Sequence, residues 1–311
     1  MPDPQDQLSA AAGWLALSRQ AGLTPTVLAR LARRFGNAQA VFAASPEELL
    51  QASVTAAAVT QAREQIAQLH SQLVEFAQQG LAIIPWEAPA YPPMLLDLRV
   101  PPTVFFFSGE LRAADSRALA IVGTRTASKA GLQVAREIAQ RATAAGFCVV
   151  SGLARGIDTA AHQSTLLHGG RTLAVVGNGL LKMYPPENEL LASRISRHGA
   201  VISELWPEAT VSRPALLARD RLQAALSRAT IVVQAHTGCG SLTTARYAVA
   251  CRRPLFALDW QEEPFTIGLA RLRQIGAQVI TLDDLAEVFR AAETSPARRQ
   301  TTLFPPRSDQ L

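Results

Sequence analysis

The chain has 311 residues, which suggests two domains or one large domain with an appendage, and its 48% apolar content suits a folded globular protein. No stretch approaches the roughly 18 apolar residues of a membrane span, and the polar, acidic first residues are not typical of a signal peptide. Because Cys148, Cys239 and Cys251 show no C-x-x-C spacing, we expect a protein of the reduced cytoplasm.

Positive charge is concentrated in one part of the chain. Between Arg112 and Phe256 there are 18 basic and 8 acidic residues, a surplus of ten, whereas the whole chain has a net charge of +5. Lys129 and Lys182 are the only lysines, and arginine binds phosphate oxygens in a bidentate manner. The codon usage of a GC-rich genome explains the choice of arginine but not its segregation, which predicts a polyanionic partner.

Residues 1–79 are predicted to form a small all-helical domain. Thr24-Pro25 and Ser45-Pro46 begin helices with a cap and an early proline, and Gly36 ends one. Short helices joined by a glycine hairpin resemble a helix-hairpin-helix or SAM-like module, which either grips DNA backbone or serves for packing and docking. We favour docking, because Arg33-Arg34 is the only basic cluster.

Residues 80–117 contain six prolines and are predicted to be a stiff, non-helical connector, within which Val104–Phe107 would add an edge strand. Beyond it, apolar runs alternate with helical patterns up to residue 293. The predicted strands are 119–122, 147–150, 172–176, 200–203, 230–234, 254–258 and 278–281. This alternation predicts an α/β fold with a Rossmann-like, doubly wound, mostly parallel sheet.

Glycine-containing turns follow the first three predicted strands. Gly123-Thr124-Arg125, the segment 151–156 and Gly177-Asn178-Gly179 each lie where a parallel sheet binds ligands, at the carboxyl ends of its strands. Glycine lets a phosphate approach backbone amides, and a helix N-terminus favours negative charge there. We therefore expect Arg125 to bind phosphate, with Arg155 in a similar role and with Ser151 and Gly152 offering a hydroxyl and amides.

Two polar residues open the helix after the second turn. Asp158 suits an N-terminal cap, and His162 lies four residues later, the spacing of a general acid–base pair. No nucleophile or metal-ligand spacing accompanies them, so we interpret both as residues that fix the turn. A Walker lysine and a G-x-G-x-x-G after the first strand are absent, which argues against ATP hydrolysis and NAD binding and predicts neither a metal nor a cofactor.

Five motifs in order resemble those of the bacterial DNA-processing protein A family (DprA, also called Smf). They are Y-P-P-M-L-L-D-L-R-V-P-P-T-V-F-F-F-S-G at 91–109, V-G-T-R followed by S-G-L-A-R-G-I-D-T-A-A-H, the G-N-G and Y-P-P-E-N of 173–188, Ser203-Glu204, and C-G-S-L-T-T-A at 239–245. The family's F-P-x-R-N-R is replaced by Leu216-Leu217 and Arg219-Asp220-Arg221. Gln234, His236 and Cys239 also depart from the usual residues, which puts the fine geometry of the site in doubt.

The resemblance implies a single-stranded-DNA-binding recombination mediator, not an enzyme, which loads the RecA recombinase in natural transformation and forms a homodimer. Tyr184 and Asn188 would stack and hydrogen-bond a base, or Tyr184 simply packs. The residues expected to contact nucleic acid are Gly123, Thr124, Arg125, Ser151, Gly152, Arg155, Gly156, Asn178, Gly179, Lys182, Asn188, Arg219, Arg221, Gly240 and Ser241.

Two other functions share this sheet. One is a nucleotide-cleaving phosphoribohydrolase of the Lonely Guy group, and the other is a nucleotide sensor in phage defence. The hydrolases carry P-G-G-x-G-T-x-x-E, whereas this chain has G-C-G-S-L-T-T-A with no glutamate after it, so the general acid–base is missing.

Residues 294–311 lack periodicity and are predicted to be a flexible tail. Gln300, Leu303 and Phe304 form Q-x-x-L-F, similar to the short peptides that dock on the replication sliding clamp. A five-residue pattern also arises by chance, and Phe304 packing on the sheet domain is the alternative.

Overall fold

A computed structural model describes residues 4–295, and the chain divides between Phe105 and Phe106 into two compact units. In residues 4–295 no helix is both long enough and apolar enough to cross a membrane. The predicted tail, with Gln300, Leu303 and Phe304, lies outside the described residues.

The first unit is mainly helical, as predicted. Its helices are α1 (Pro4–Ser18), α2 (Pro25–Phe35), α3 (Ala38–Ala43), α4 (Pro46–Gln51) and α5 (Ala56–Gln78). The caps explain the boundaries: Thr24 accepts a hydrogen bond from the N–H of Val27, and Gly36 ends α2 with a φ of 81°. Ser45 and Glu48 form a reciprocal capping box at the start of α4.

Buried apolar side chains fill the first unit, among them Trp14, Leu17, Leu69 and Leu73. A carboxylate also links its segments, because Glu87 accepts hydrogen bonds from Trp14 Nε1 at 2.7 Å and from the Ala38 N–H at 3.2 Å. Burial raises the pKa of Glu87, and these hydrogen bonds offset part of that shift.

The proline-rich segment 80–117 is not uniformly extended. It contains β1 (Leu81–Pro85), a 3-10 helix (Pro93–Asp97) and β2 (Val104–Gly109). The expected strand at 104–107 is therefore present, but the prediction that it is an edge strand is wrong, because it lies between β1 and β6. The division between the units falls inside β2, and assignment of the whole segment as a separate connector stays a prediction.

The second unit alternates strands and helices. In chain order these are β3 (Ala118–Val122), α6 (Lys129–Ala144), β4 (Cys148–Ser151), α7 (Ile157–Leu167), β5 (Thr172–Val175), α8 (Glu189–His198), β6 (Ala200–Ser203), α9 (Arg213–Ala225), β7 (Ala229–Val232), α10 (Ser241–Ala250), β8 (Leu255–Leu258), α11 (Phe265–Ile275), β9 (Gln278–Ile280) and α12 (Leu285–Thr294). The described strands have the order β1-β2-β6-β5-β4-β3-β7-β8-β9.

The sheet from β6 to β9 is parallel, which confirms the predicted fold class, and β2 pairs antiparallel with β6. Every residue of β3 is buried, as expected for a strand covered by helices on both faces. After β3, the chain adds β4, β5 and β6 in turn on one side of β3. It then crosses over to add β7 on the other side of β3. The strand order therefore reverses between β3 and β7, the place where doubly wound sheets bind their ligands.

Candidate nucleic-acid interface

A cleft of about 620 Å³ opens at the carboxyl ends of β3, β4 and β7. Its walls come from the turns after these strands, from α9 and from the first turn of α10. The lining residues include Gly123, Arg125, Ala154, Asp158, Tyr184, Leu216, Leu217, Arg219, Asp220, Gln223, Gly240 and Ser241. The volume falls within the range of pockets for small ligands and nucleotides.

Three arginines, Arg125, Arg213 and Arg219, line the cleft and give it positive charge. Arg125 is exposed at the mouth, and no carboxylate among residues 4–295 pairs with it. Arg219 is only 5% exposed, and its guanidinium lies against Gly152, where a Cβ would come within 1.7 Å of Nη1. Gly152 is therefore required by an arginine of the protein, not by a phosphate.

Asp220 is also buried in the cleft wall, at 5% exposure. Its Oδ1 lies 3.5 Å from Nε of Arg219, but among the described residues no group donates a hydrogen bond to its carboxylate. Burial raises the pKa of Asp220 to about 7; Arg219 and Arg125 oppose this shift and Asp158 adds to it.

Asp158 holds the turn between β4 and α7. Its Oδ2 accepts hydrogen bonds from the N–H groups of Gly152 at 3.1 Å and Ala154 at 3.4 Å. Burial raises the pKa of Asp158, and the charge of Arg219 opposes that shift. These contacts favour a role in fixing the turn.

His162 is fully buried beneath this turn. Its Nδ1 lies 2.7 Å from the Thr172 hydroxyl, which itself donates to the carbonyl of Val149. Burial lowers the pKa of His162 to about 3, so the imidazole is neutral and donates through Nδ1. A neutral histidine inside the core also supports the structural interpretation over the catalytic one.

Comparison with known proteins decides the family. Residues 82–290 match the family model described as DNA recombination-mediator protein A. The chain belongs to this family. It is 35% identical to Protein Smf of Synechocystis over 86% of this chain and 69% of that protein, and 34% identical to DNA processing protein DprA of Bacillus subtilis over 69% and 73%.

Solved DprA structures share the fold. The X-ray structure of DprA from Streptococcus pneumoniae is similar with a TM-score of 0.74 and 29% identity, covering 88% of this chain and 97% of that one. A structure of DprA from Helicobacter pylori, described for its single-stranded DNA binding mode, has a TM-score of 0.61 and 27% identity over 68% and 95%.

Several residues expected to contact nucleic acid are instead engaged within the protein. Ser151 is fully buried and donates its hydroxyl hydrogen bond to the carbonyl of Ile121 at 2.6 Å. The Gly152 N–H is already bonded to Asp158. The prediction that these two residues offer a hydroxyl and an amide to an anion is therefore wrong.

The other turn glycines also serve packing. A Cβ at Gly123 would lie 2.5 Å from the side chain of Ile157, and one at Gly179 would lie 2.3 Å from the Pro207 carbonyl. Gly156 has a φ of 78° and packs against the carbonyl of Thr124, which is itself buried. Close approach of this protein's own chain explains why Gly156 and Gly179 are glycines, and their contact with nucleic acid stays a prediction.

Asn188 does not take its predicted role, whereas the contact of Asn178 with nucleic acid stays a prediction. Asn188 Nδ2 donates at 2.8 Å both to the Leu153 carbonyl and to Thr159 Oγ1, so this amide stabilises the β4–α7 turn and does not read a base. Asn178 is buried and does not have a positive φ. Its Oδ1 has no hydrogen-bond partner among the described residues, and it lines a narrow extension of the cleft.

The remaining basic residues differ in availability. Arg221 is held by Glu204, at 2.9 and 2.5 Å, and lies outside the cleft, so its predicted phosphate contact would require this pair to open and stays a prediction. Arg155 is exposed and pairs with Glu187, which raises the pKa of the guanidinium. That exposed pair is weak enough to open for a phosphate. Lys182 is exposed.

Gly240 and Ser241 lie at the start of α10 and line the cleft as expected. Ser241 Oγ lies 2.9 Å from Cys239 Sγ. The helix dipole adds partial positive charge to this side of the cleft. In the part of the chain that the structure describes, no group of three acidic, histidine or cysteine side chains is placed to hold a metal ion.

The departures from the family pattern have local explanations. Gln234 caps α6: its Oε1 accepts from the Ser128 N–H at 3.1 Å and its Nε2 donates to Ser128 Oγ at 2.8 Å. Leu216 and Leu217 lie in the cleft wall with Tyr184. Sequence reasoning missed Gln223, although its spacing from Leu216 and Asp220 places all three on one face of α9.

Proposed function

We propose that this protein binds single-stranded DNA in the cleft and acts as a recombination mediator without an enzymatic activity of its own. The observation that carries the proposal is the unpaired Arg125 guanidinium at the mouth of a cleft with Arg219 in its wall, at the point where the strand order reverses.

Three further findings support it. The family is named for recombination mediation, and the Helicobacter relative is described by its binding of single-stranded DNA. The residues that form this cleft lie within the segment 112–256, which carries the basic surplus. By analogy with the family, we further propose that the protein works in the cytoplasm as a homodimer and loads the RecA recombinase onto DNA entering by natural transformation.

The test is titration of fluorescent oligonucleotides at several salt concentrations. On single strands the logarithm of affinity should fall with the logarithm of salt concentration, with a slope of about −0.7 per phosphate contacted. Single strands should bind more tightly than the same sequence as duplex. An affinity that does not change with salt concentration, or a clear preference for duplex DNA, contradicts the proposal.

The absence of catalysis is tested beside it. Nucleoside monophosphates incubated with the protein should release no free base, because the loop at 238–245 lacks the glutamate of the phosphoribohydrolases. Base release that persists after repeated purification would favour the enzyme.

The predicted clamp peptide is tested separately from the sheet domain. A peptide spanning residues 298–307 should bind purified sliding clamp at tens of micromolar, and the Leu303→Ala, Phe304→Ala peptide should not. Equal binding by both peptides, or no binding, removes the clamp as a partner without affecting the DNA-binding proposal.

A further inference from the structure

The wall of the cleft holds a carboxylate that the protein itself leaves without a hydrogen bond. Asp220 is 5% exposed, and among residues 4–295 no N–H or O–H donates to either of its oxygens. Its contact with Arg219, at 3.5 Å to Nε, is longer than a hydrogen bond, and that Nε is itself without a partner. A buried carboxylate in this state is free to accept hydrogen bonds from a ligand that brings its own donors.

Neighbouring residues determine which kind of ligand fits. Arg125, at the mouth, provides a partner for a phosphate. Tyr184, Leu216 and Leu217 give the same cleft apolar wall area, which suits the flat face of a base. Because Arg125, this apolar wall and Asp220 all line one cleft, a nucleotide that uses all three would turn its Watson–Crick edge to Asp220.

Among the four DNA bases, guanine alone presents two adjacent N–H donors on that edge, from N1 and from the N2 amino group. A carboxylate accepts both in a bidentate manner, as it does from arginine. On the same edge, adenine, cytosine and thymine each present one donor next to acceptor atoms. A carboxylate repels those acceptors. An asparagine at this position offers only one acceptor oxygen and also a competing donor.

We propose that Asp220 is a specificity-determining residue that selects guanine within the single-stranded DNA bound in this cleft. The inference rests on the proposed function, because it requires a strand in the cleft, and it adds a base preference that the phosphate contacts do not provide.

The experiment compares three labelled oligonucleotides of about 12 nucleotides. One is oligo(dT), one carries guanine at alternate positions, and one carries hypoxanthine there, which lacks only the N2 amino group. Titrations run at about pH 8, above the Asp220 pKa of about 7, so that the carboxylate is ionised. We expect the guanine oligonucleotide to bind roughly 5- to 100-fold more tightly than the hypoxanthine one, the range of a good bidentate base contact.

The variant Asp220→Asn should reduce this ratio to within about twofold while still binding oligo(dT). Asp283→Asn is the matched control, since it removes the same charge from an exposed residue outside the cleft, and it should keep the guanine preference. Equal binding of the three oligonucleotides by the wild type overturns the base preference alone. A preference that survives in Asp220→Asn overturns the role of Asp220, and no binding of any oligonucleotide overturns the proposed function as well.

Discussion

At the scale of single residues, two of the cleft arginines, Arg125 and Arg219, have different surroundings. Arg125 is exposed and unpaired among residues 4–295, whereas Arg219 is buried against Gly152 and Asp220. An exposed cation contributes to binding without contributing much to folding, while a buried one does both. The sequence does not reveal this distinction. It shows only that Arg125 lies beside a strand-end turn and that Arg219 lies on a helix.

Arg125→Ala should weaken binding of single-stranded DNA by roughly 1–3 kcal/mol, as loss of a charge-assisted contact does. The melting temperature should barely change, because the side chain is exposed. Fluorescence titration and thermal melting measure the two effects. Arg246→Ala, which removes an exposed arginine of α10 outside the cleft, should bind almost normally. Equal loss in both variants would show a general charge effect and not a site.

Asp220 makes folding stability depend on pH. Its pKa is raised from 3.8 in the unfolded chain to about 7, so the folded state favours the protonated carboxyl. That contribution is fully present below about 3.8 and is lost as pH rises through about 7. Asp220→Asn, which stays neutral, should therefore increase the free energy of unfolding at about pH 8 by up to roughly 4 kcal/mol and change it little near about pH 3, below both pKa values. Denaturant unfolding at both values tests this, and a gain of equal size at both would contradict it.

At the scale of elements, the sequence predicts the strands well because most are short apolar runs that are fully buried, with β9 and its exposed Gln278 as an exception. The predicted strand at 119–122 corresponds to β3, and α6 begins after Ser128, a residue type that caps helices. Gly146 ends that helix region with a φ of 78°, as its identity predicts.

The roles of the turn glycines were less predictable. A glycine indicates that something approaches the backbone closely, but not whether that group is a ligand or the protein itself. At Gly152 the group is the side chain of Arg219, 67 positions along the chain, and at Gly179 it is the carbonyl of Pro207. These partners are set by how α9 and the loop after β6 pack onto the strand ends, which local sequence does not encode.

The β4–α7 turn and α9 should therefore be energetically coupled. Gly152→Ala places a Cβ 1.7 Å from Nη1 of Arg219 and should destabilise the protein by roughly 1–3 kcal/mol, as overpacking does. In an Arg219→Ala background, where that space is free, the same substitution should cost much less. Denaturant unfolding of the wild type, both single variants and the double variant measures the coupling. Additive effects would show that Arg219 does not fill this space in solution.

At the scale of the whole molecule, charge separates the two units. Residues 1–105 carry 6 basic and 8 acidic residues, a net charge of −2, whereas residues 106–295 carry 21 and 16, a net charge of +5. The basic residues of the first unit are largely engaged there: Arg30 donates to the Ala52 carbonyl at 2.6 Å and Arg63 to the Phe42 carbonyl. A polyanion is therefore attracted to the second unit.

The Arg33-Arg34 pair gives the sharpest test of whether DNA binds to the second unit alone. It is the basic cluster that a DNA-binding helical module would use. In the structure Arg33 donates to the Leu98 carbonyl at 3.0 Å and Arg34 to Gln51 Oε1 at 2.7 Å, so both guanidinium groups are engaged within the first unit. We expect the full-length double variant Arg33→Gln, Arg34→Gln to bind single-stranded DNA within about twofold of the wild type, with an unchanged salt slope.

The same variant should melt at a lower temperature, since it loses two hydrogen bonds made by charged groups, each worth roughly 1.5–3 kcal/mol when buried and less at these partly exposed positions. Arg125→Ala, measured beside it, should show the reverse pattern of weak binding and normal melting. A loss of DNA affinity in the Arg33, Arg34 variant comparable with that of Arg125→Ala, together with a shallower salt slope, would place phosphate contacts on the helical unit. The docking interpretation of residues 1–79 would then be wrong.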